Sequence, residues 1–309
     1  MSQRALSSGF LEDARRDSTR PSVTRAKGAQ RHRLFLAVWY LVNSLLVISI
    51  LLALYSIGWE YSTRRYLKGF SDAIVPVAGS PEEKTESILN WMSNGPARNP
   101  HGLEVTSPNR DPTDTLNYDS LMRVCGSATN AFINLIDSTG LSARRLLLLS
   151  SDRQAKHVVA EVLIDGRWIV ADPAFRVLLR GADGKLLTSE QLADPQIFFA
   201  ATHDIPHYDS SYTFERTAHI RVSRIRIVGL PLRKALDRLL PGWEDSTTVS
   251  LLVERQSLAV MVVAIVLLLI LSLVRISLRW YGERSLGFRA VRIRDQIRRA
   301  CAAFLDAAS

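Results

Sequence analysis

Two long uncharged stretches frame the chain, Leu34 to Trp59 and Gln256 to Val274. Each is long enough to cross a hydrocarbon core of about 30 Å as a helix. The pattern between them is that of a folded domain. Ser80-Pro81-Glu82-Glu83 has the chemistry of a helix start, with serine at the cap, proline at the first helical position and acids in the first turn, and predicts a helix to Ser93. Four prolines among Asn, Asp and Gly make residues 94–117 a long loop. Ala128, Ala131, Phe132, Leu135 and Ile136 recur at helical spacing, predicting a helix over 126–138 that stops at Gly140. A strand is expected over Arg145–Ser150, followed by two more over Lys156–Ile164 and Arg167–Pro173. Asp165-Gly166 separates these two, and both residues tolerate the positive φ of a type I′ hairpin turn. Residues 175–180 extend the sheet, Thr188–Ala193 reads as a short helix, and Tyr212–Val228 offers one or two more strands. Leu232, Ala235, Leu236, Leu239 and Leu240 form an amphipathic stripe opposite Arg233, Lys234 and Arg238, suited to a membrane surface. The fold class is therefore α+β, with a helix packed on an antiparallel sheet and placed between two transmembrane helices.

Charge adds an orientation. Residues 1–33 carry eight Lys/Arg against three acids, residues 275–309 the same, and the intervening 60–255 are close to neutral, so the net +9 lies in the tails. By the positive-inside rule both termini are cytoplasmic and the central domain is outside the plasma (inner) membrane, periplasmic or extracytoplasmic. The segments in order are a disordered basic tail (1–33), a first span (34–58), a connector (59–80), the domain (81–230), a juxtamembrane amphipathic segment (231–255), a second span (256–275) and a basic tail (276–309). Anionic lipid accounts for the basic excess without a nucleic-acid partner, for which no recognition motif is present.

The hairpin places His157 opposite Ala174, with Asp172 as its diagonal neighbour on the same face. Cys125 precedes the first turn of the 126–138 helix, where open backbone N–H groups favour a thiolate. A thiolate needs a base, and the base needs an orienting acid. Cys125, His157 and Asp172 supply the three in that order. The other cysteine, Cys301, lies on the opposite side of the membrane in this topology, so the two cannot pair. A solitary thiol in an oxidising compartment is a liability unless it has a task.

Cys125-Gly126, Gly140-Leu141-Ser142-Ala143-Arg144, His157 with Glu161-Val162, Asp165-Gly166-Arg167-Trp168 and Asp172-Pro173 together resemble the transglutaminase-like superfamily, which shares its core with papain-like cysteine proteases. The resemblance is strong over about fifty residues and reaches weakly upstream to Glu83–Met92. It implies a transglutaminase-like fold with Cys125 as nucleophile, His157 as base and Asp172 as orienting acid. It also implies acyl-transfer chemistry on amides through a thioester, as in membrane-anchored bacterial members. Hydrolysis by a peptidase or amidase is favoured over cross-linking. The implied partners are a protein or peptide substrate outside the membrane, the lipid bilayer and, where the module acts in an envelope assembly, other proteins of that assembly. No cofactor is implied, and the acids that bind calcium in some animal relatives have no clustered counterpart here. The rival reading, from another class, is a catalytically silent binding or scaffold module.

Other residues were weighed beside these. Glu161 shares the His157 face and either supports the site or is salt-bridged. Trp168 and Val170 share it too, which predicts that the Cys125 helix buries them. The Cys125 amide is the expected oxyanion donor, with Asn117 or Tyr118 as side-chain alternatives. His203, His207 and Asp209 are metal-like residue types, but Pro206 and the spacing fit no strong zinc pattern, so a surface loop and no metal is expected.

Overall fold

Helix α1 (Arg20–Ile74) contains the first uncharged stretch and continues as helix through the connector beyond it. In the computed structural model, residues 20–94, 111–116, 124–220 and 240–286 are described, together with Lys234, Asp237 and Arg238. The chain start, residues 95–110, Asn117, Tyr118, the expected strands past 220, most of the amphipathic segment 231–239 and the C-terminal tail with Cys301 lie outside the described residues.

After α1 come α2 (Pro81–Ser93), α3 (Pro112–Thr115) and α4 (Cys125–Ser138). A five-stranded antiparallel sheet is built from β1 (Ala143–Leu149), β2 (Ala155–Ile164), β3 (Arg167–Asp172), β4 (Val177–Leu178) and β5 (Thr217–Ala218), in the order β4-β3-β2-β1-β5. Short helices α5 (Ser189–Leu192) and α6 (Pro195–Thr202) fall between β4 and β5. A 3₁₀ turn (Trp243–Asp245), α7 (Thr247–Glu254) and α8 (Gln256–Ser285) complete the order. The fold is α+β, and α1 and α8 are both long and apolar enough to cross a membrane.

The local signals act as their chemistry dictates. Ser80 and Glu83 close a reciprocal capping box, Glu83 N donating to Ser80 Oγ (3.2 Å) and Ser80 N to Glu83 Oε2 (2.7 Å). From that start, Thr85, Ile88, Leu89 and Met92 are buried at helical spacing. Asp165 (φ 49°) and Gly166 (φ 76°) form the left-handed pair of the β2–β3 turn, and Ala160 faces Ala171 as the hairpin register requires.

Two compact units divide the chain: Met1–Leu54 with Val263–Ser309, and Tyr55–Val262. In the first, the Phe35 ring lies against Gly282, where an added Cβ would come within 2.5 Å of Phe35 Cζ. Arg275 Nε donates to Asn43 Oδ1 (2.8 Å) and its guanidinium lies 5.7 Å from the Trp39 ring centre. Leu34, Leu41, Ile48, Leu51, Leu267 and Leu273 remain exposed, which is compatible with helices that cross a membrane.

In the second unit the sheet has a core on each face. Ala160, Val162, Ile169 and Ala171 pack with Phe132, Leu135 and Ile136 of α4 and with Ile88 and Met92 of α2. Val159, Val170, Leu146 and Leu148 pack with Leu192, Phe198 and Phe214 on the other face. This corrects the expectation that α4 buries Trp168 and Val170. Ala160 and Val162 of β2 meet α4, whereas Val159 and Val170 face away from it. Both sides of the β2–β3 hairpin are apolar, so alternation alone does not say which side the helix takes.

The second unit also buries a polar network that the sequence reading missed. Asn130, Asn134 and Asp137 follow one another along α4. Arg255, which is 2 % exposed, donates to Asn134 Oδ1 (2.8 Å), Asp137 Oδ2 (2.7 Å) and Glu60 Oε1 (3.3 Å). Ser257 Oγ donates to Glu60 Oε2 (2.7 Å). Glu254 pairs with Arg145 Nε (2.6 Å) and accepts from Asn130 Nδ2 (3.0 Å). Charges that looked like the polar flanks of two spans thus satisfy one another inside the domain. Buried ions persist only when compensated in this way.

Candidate active site

Cys125 is the first residue of α4. The cap before it, Val124, is extended (φ −141°, ψ 145°) and offers no side-chain acceptor, so the N–H groups of the first turn remain directed at that end. Ser127 N and Ala128 N turn back to the Val124 carbonyl at 3.0 and 3.2 Å. The half-buried Cys125 side chain therefore sits where the helix dipole favours negative charge. Arg145 Nη2, anchored by Glu254, donates to the carbonyl of Gly126 (3.2 Å) and ties this helix start to β1.

His157 lies near the beginning of β2, beside a register shift in the β1–β2 pairing between Leu148 and Leu149. Such bulges re-aim side chains and recur next to functional sites. Its Nε2–H donates to Asp172 Oδ2 at 2.7 Å, and both side chains are fully buried. Asp172 ends β3, and its Oδ1 accepts from the amides of Ala174 (3.1 Å) and Phe175 (3.3 Å). Tyr208 adds a fourth donor, its Oη 3.1 Å from Oδ2. A buried carboxylate with four donors has a fixed orientation, and it fixes the imidazole in turn.

The second ring nitrogen, Nδ1, is buried and has no hydrogen-bond partner within bonding geometry among the described residues. The Cys125 thiol is near enough to act on the ring, and with Nε2 engaged by Asp172, Nδ1 is the nitrogen left to face it. Burial opposes the protonated ring. The Asp172 charge and hydrogen bond, followed by the Cys125 hydrogen bond and charge, outweigh burial and raise His157 from 6.5 to about 9. The structure thus brings Cys125, His157 and Asp172 together around one imidazole.

Glu161 and Trp168 lie elsewhere on the sheet. Four residues of strand separate Glu161 from His157, roughly 13 Å. Buried Glu161 accepts from Arg144 (2.7 Å), His219 (2.9 Å) and Ser189 (2.6 Å), partners that hold its carboxyl below the usual range against the opposing effect of burial. The Arg144 guanidinium lies 4.2 Å from the Trp168 ring centre. These two residues hold β1, β2 and the segment after β5 together, at a distance from the sulfur.

His203 and His207 line an open cavity of about 630 Å³ whose wall includes Phe198, Phe199, Ile205 and Tyr208. Among the described residues no three His, Cys, Asp or Glu side chains gather as a metal site. Asp209 instead accepts from Ser211 N (2.8 Å), and its carbonyl from Tyr212 N (3.0 Å), so it builds a turn. That turn corrects the expectation of a strand beginning at Tyr212; in the described residues the strand is Thr217–Ala218. It delivers Tyr212 onto His157, with ring centres 4.2 Å apart and planes within 6°. Sequence reasoning missed Tyr208 and Tyr212. The Asp209-Ser210-Ser211 turn chemistry between them is the signal that could have drawn attention there.

Comparisons with protein-family models, curated proteins and solved structures find no match to this chain.

Proposed function

We propose that this chain is a membrane-anchored cysteine hydrolase of transglutaminase-like fold, acting on amide or peptide bonds outside the cell membrane. The observation that carries the reading is the division of the His157 ring, with one nitrogen on a fixed carboxylate and the other facing a thiol at a helix N-terminus. In the proposed reaction the Cys125 thiol gives its proton to His157 Nδ1. The thiolate attacks the carbonyl carbon, and the backbone amides at the start of α4 receive the oxyanion. The C–N bond breaks as the imidazolium returns its proton to the leaving nitrogen, leaving a thioester on Cys125. Water then attacks the thioester. His157 takes a proton from that water, the C–S bond breaks as the imidazolium returns the proton to sulfur, and the carboxylic acid and the Cys125 thiol are released.

Two helices able to cross a membrane and two basic tails support anchoring with both termini cytoplasmic. The test incubates intact wild type and Cys125→Ala with a thiol-directed acyl probe and a peptide library. Labelling and cleavage confined to wild type support the reading. Equal labelling of both, or wild-type labelling without cleavage of any amide, favours a binding or scaffold role.

A further inference from the structure

Three features of the folded unit have no part in the reaction just described. The buried network joining Glu60, Arg255 and α4 balances its own charges and offers no opening to a ligand. The open cavity lined by Phe199, His203 and His207 belongs to no cluster of metal-ligating side chains among the described residues. The third feature is the Tyr212 ring, and it bears directly on the base.

Tyr212 is half-buried and lies flat on the imidazole, 4.2 Å from centre to centre with planes within 6°. Tyr208 stands edge-on to both rings, 5.9 Å from Tyr212 at 79° and 6.4 Å from His157 at 80°. Phe175 meets His157 at 5.9 Å and 65°. One face of the base is thus occupied by an electron-rich ring held by a turn and by a second tyrosine. A flat aromatic face attracts a cationic ring more strongly than a neutral one. The charged or titratable groups around His157 are Asp172 from β3, the Cys125 thiol from α4, Asp209 from the turn before Tyr212, and neighbouring Lys156.

We propose that Tyr212 is a positioning residue of this site, whose ring face holds the His157 imidazole in plane and stabilises its protonated form, and with it the thiolate. The inference rests on the thiol–imidazole reading above. It predicts that the Tyr212 ring, and not its hydroxyl, extends the pH range over which Cys125 is nucleophilic towards acid.

The experiment measures Cys125 alkylation by iodoacetamide against pH in the full-length protein, alongside thermal midpoints. Tyr212→Leu slows alkylation roughly tenfold at pH 6 while leaving the alkaline plateau within about twofold, the size of a desolvated cation–aromatic contact. Tyr212→Phe keeps the ring and behaves as wild type. Pentafluorophenylalanine at position 212 keeps the shape, reverses the charge of the ring face, and slows alkylation at pH 6 as leucine does. This variant also decides the matter if leucine prevents folding. Equal rates for the fluorinated and phenylalanine proteins overturn the proposal, as does equal slowing by leucine and phenylalanine. His157→Asn separates the two layers. If it alkylates at acid pH as fast as wild type, the thiol–imidazole reading itself fails, whatever Tyr212 does.

Discussion

Removing the sulfur isolates the His157–Asp172 pair and exposes its contribution to stability. In wild type the pair is masked. There the Cys125 thiol acts on the imidazole together with Asp172, so the two contributions are read as one. Cys125→Ala removes one of the two titrating partners. The imidazole, raised to about 9 with burial opposing and Asp172 and Cys125 raising, loses the two Cys125 contributions and keeps those of Asp172. The sign follows from the raised value: the stabilisation is fully present below about 6.5 and is lost as pH rises through the folded value. The full shift corresponds to on the order of 3 kcal/mol, and the alanine variant retains the part that Asp172 supplies. Denaturant midpoints of Cys125→Ala and of Cys125→Ala with His157→Asn, measured from pH 6 to 9.5, give the assay. The first is expected to lose stability relative to the second across that range, by less than about 3 kcal/mol. Parallel curves refute the claim that Asp172 holds a proton on His157.

Three further outcomes are expected. Glu254→Ala, which removes a buried carboxylate and leaves half-buried Arg145 without its partner, costs about 3–5 kcal/mol in denaturant unfolding, and adding Arg145→Met recovers much of the loss. Tyr208→Phe removes one of four donors to Asp172 and lowers stability by about 1–3 kcal/mol; an unchanged thermal midpoint counts against that hydrogen bond. Gly282→Val drives a side chain into Phe35 and weakens the pairing of α1 with α8, measured by cysteine cross-linking between the helices, and Phe35→Ala restores the cross-link.

The elements that could be read from sequence were those whose signals are local. The Ser80–Glu83 box, the Asp165-Gly166 turn and the α4 stripe each act within a few residues, and each appears where the chemistry puts it. The juxtaposition of His157 and Asp172 was legible because one two-residue turn fixes the register between them. The side of the sheet taken by α4 was not. Val158, Val159 and Ala160 are apolar in succession, so the hairpin presents two oily faces and only tertiary packing chooses between them. Glu60, Glu254 and Arg255 are charged residues beside apolar stretches, and nothing local distinguishes the solvated flank of a membrane span from a buried pair. Tyr208 and Tyr212 reach the imidazole from some fifty residues down the chain, through a turn whose residue types looked like metal ligands.

The central claim is that Cys125 and His157 act as one chemical unit. Its most direct measurement is the rate of Cys125 alkylation at pH 6 in wild type and in His157→Asn, with matched thermal midpoints. The account predicts a wild-type thiol that reacts at this pH far faster than an ordinary cysteine, and a His157→Asn thiol slowed to the ordinary rate. Equal, slow alkylation of the two proteins contradicts it.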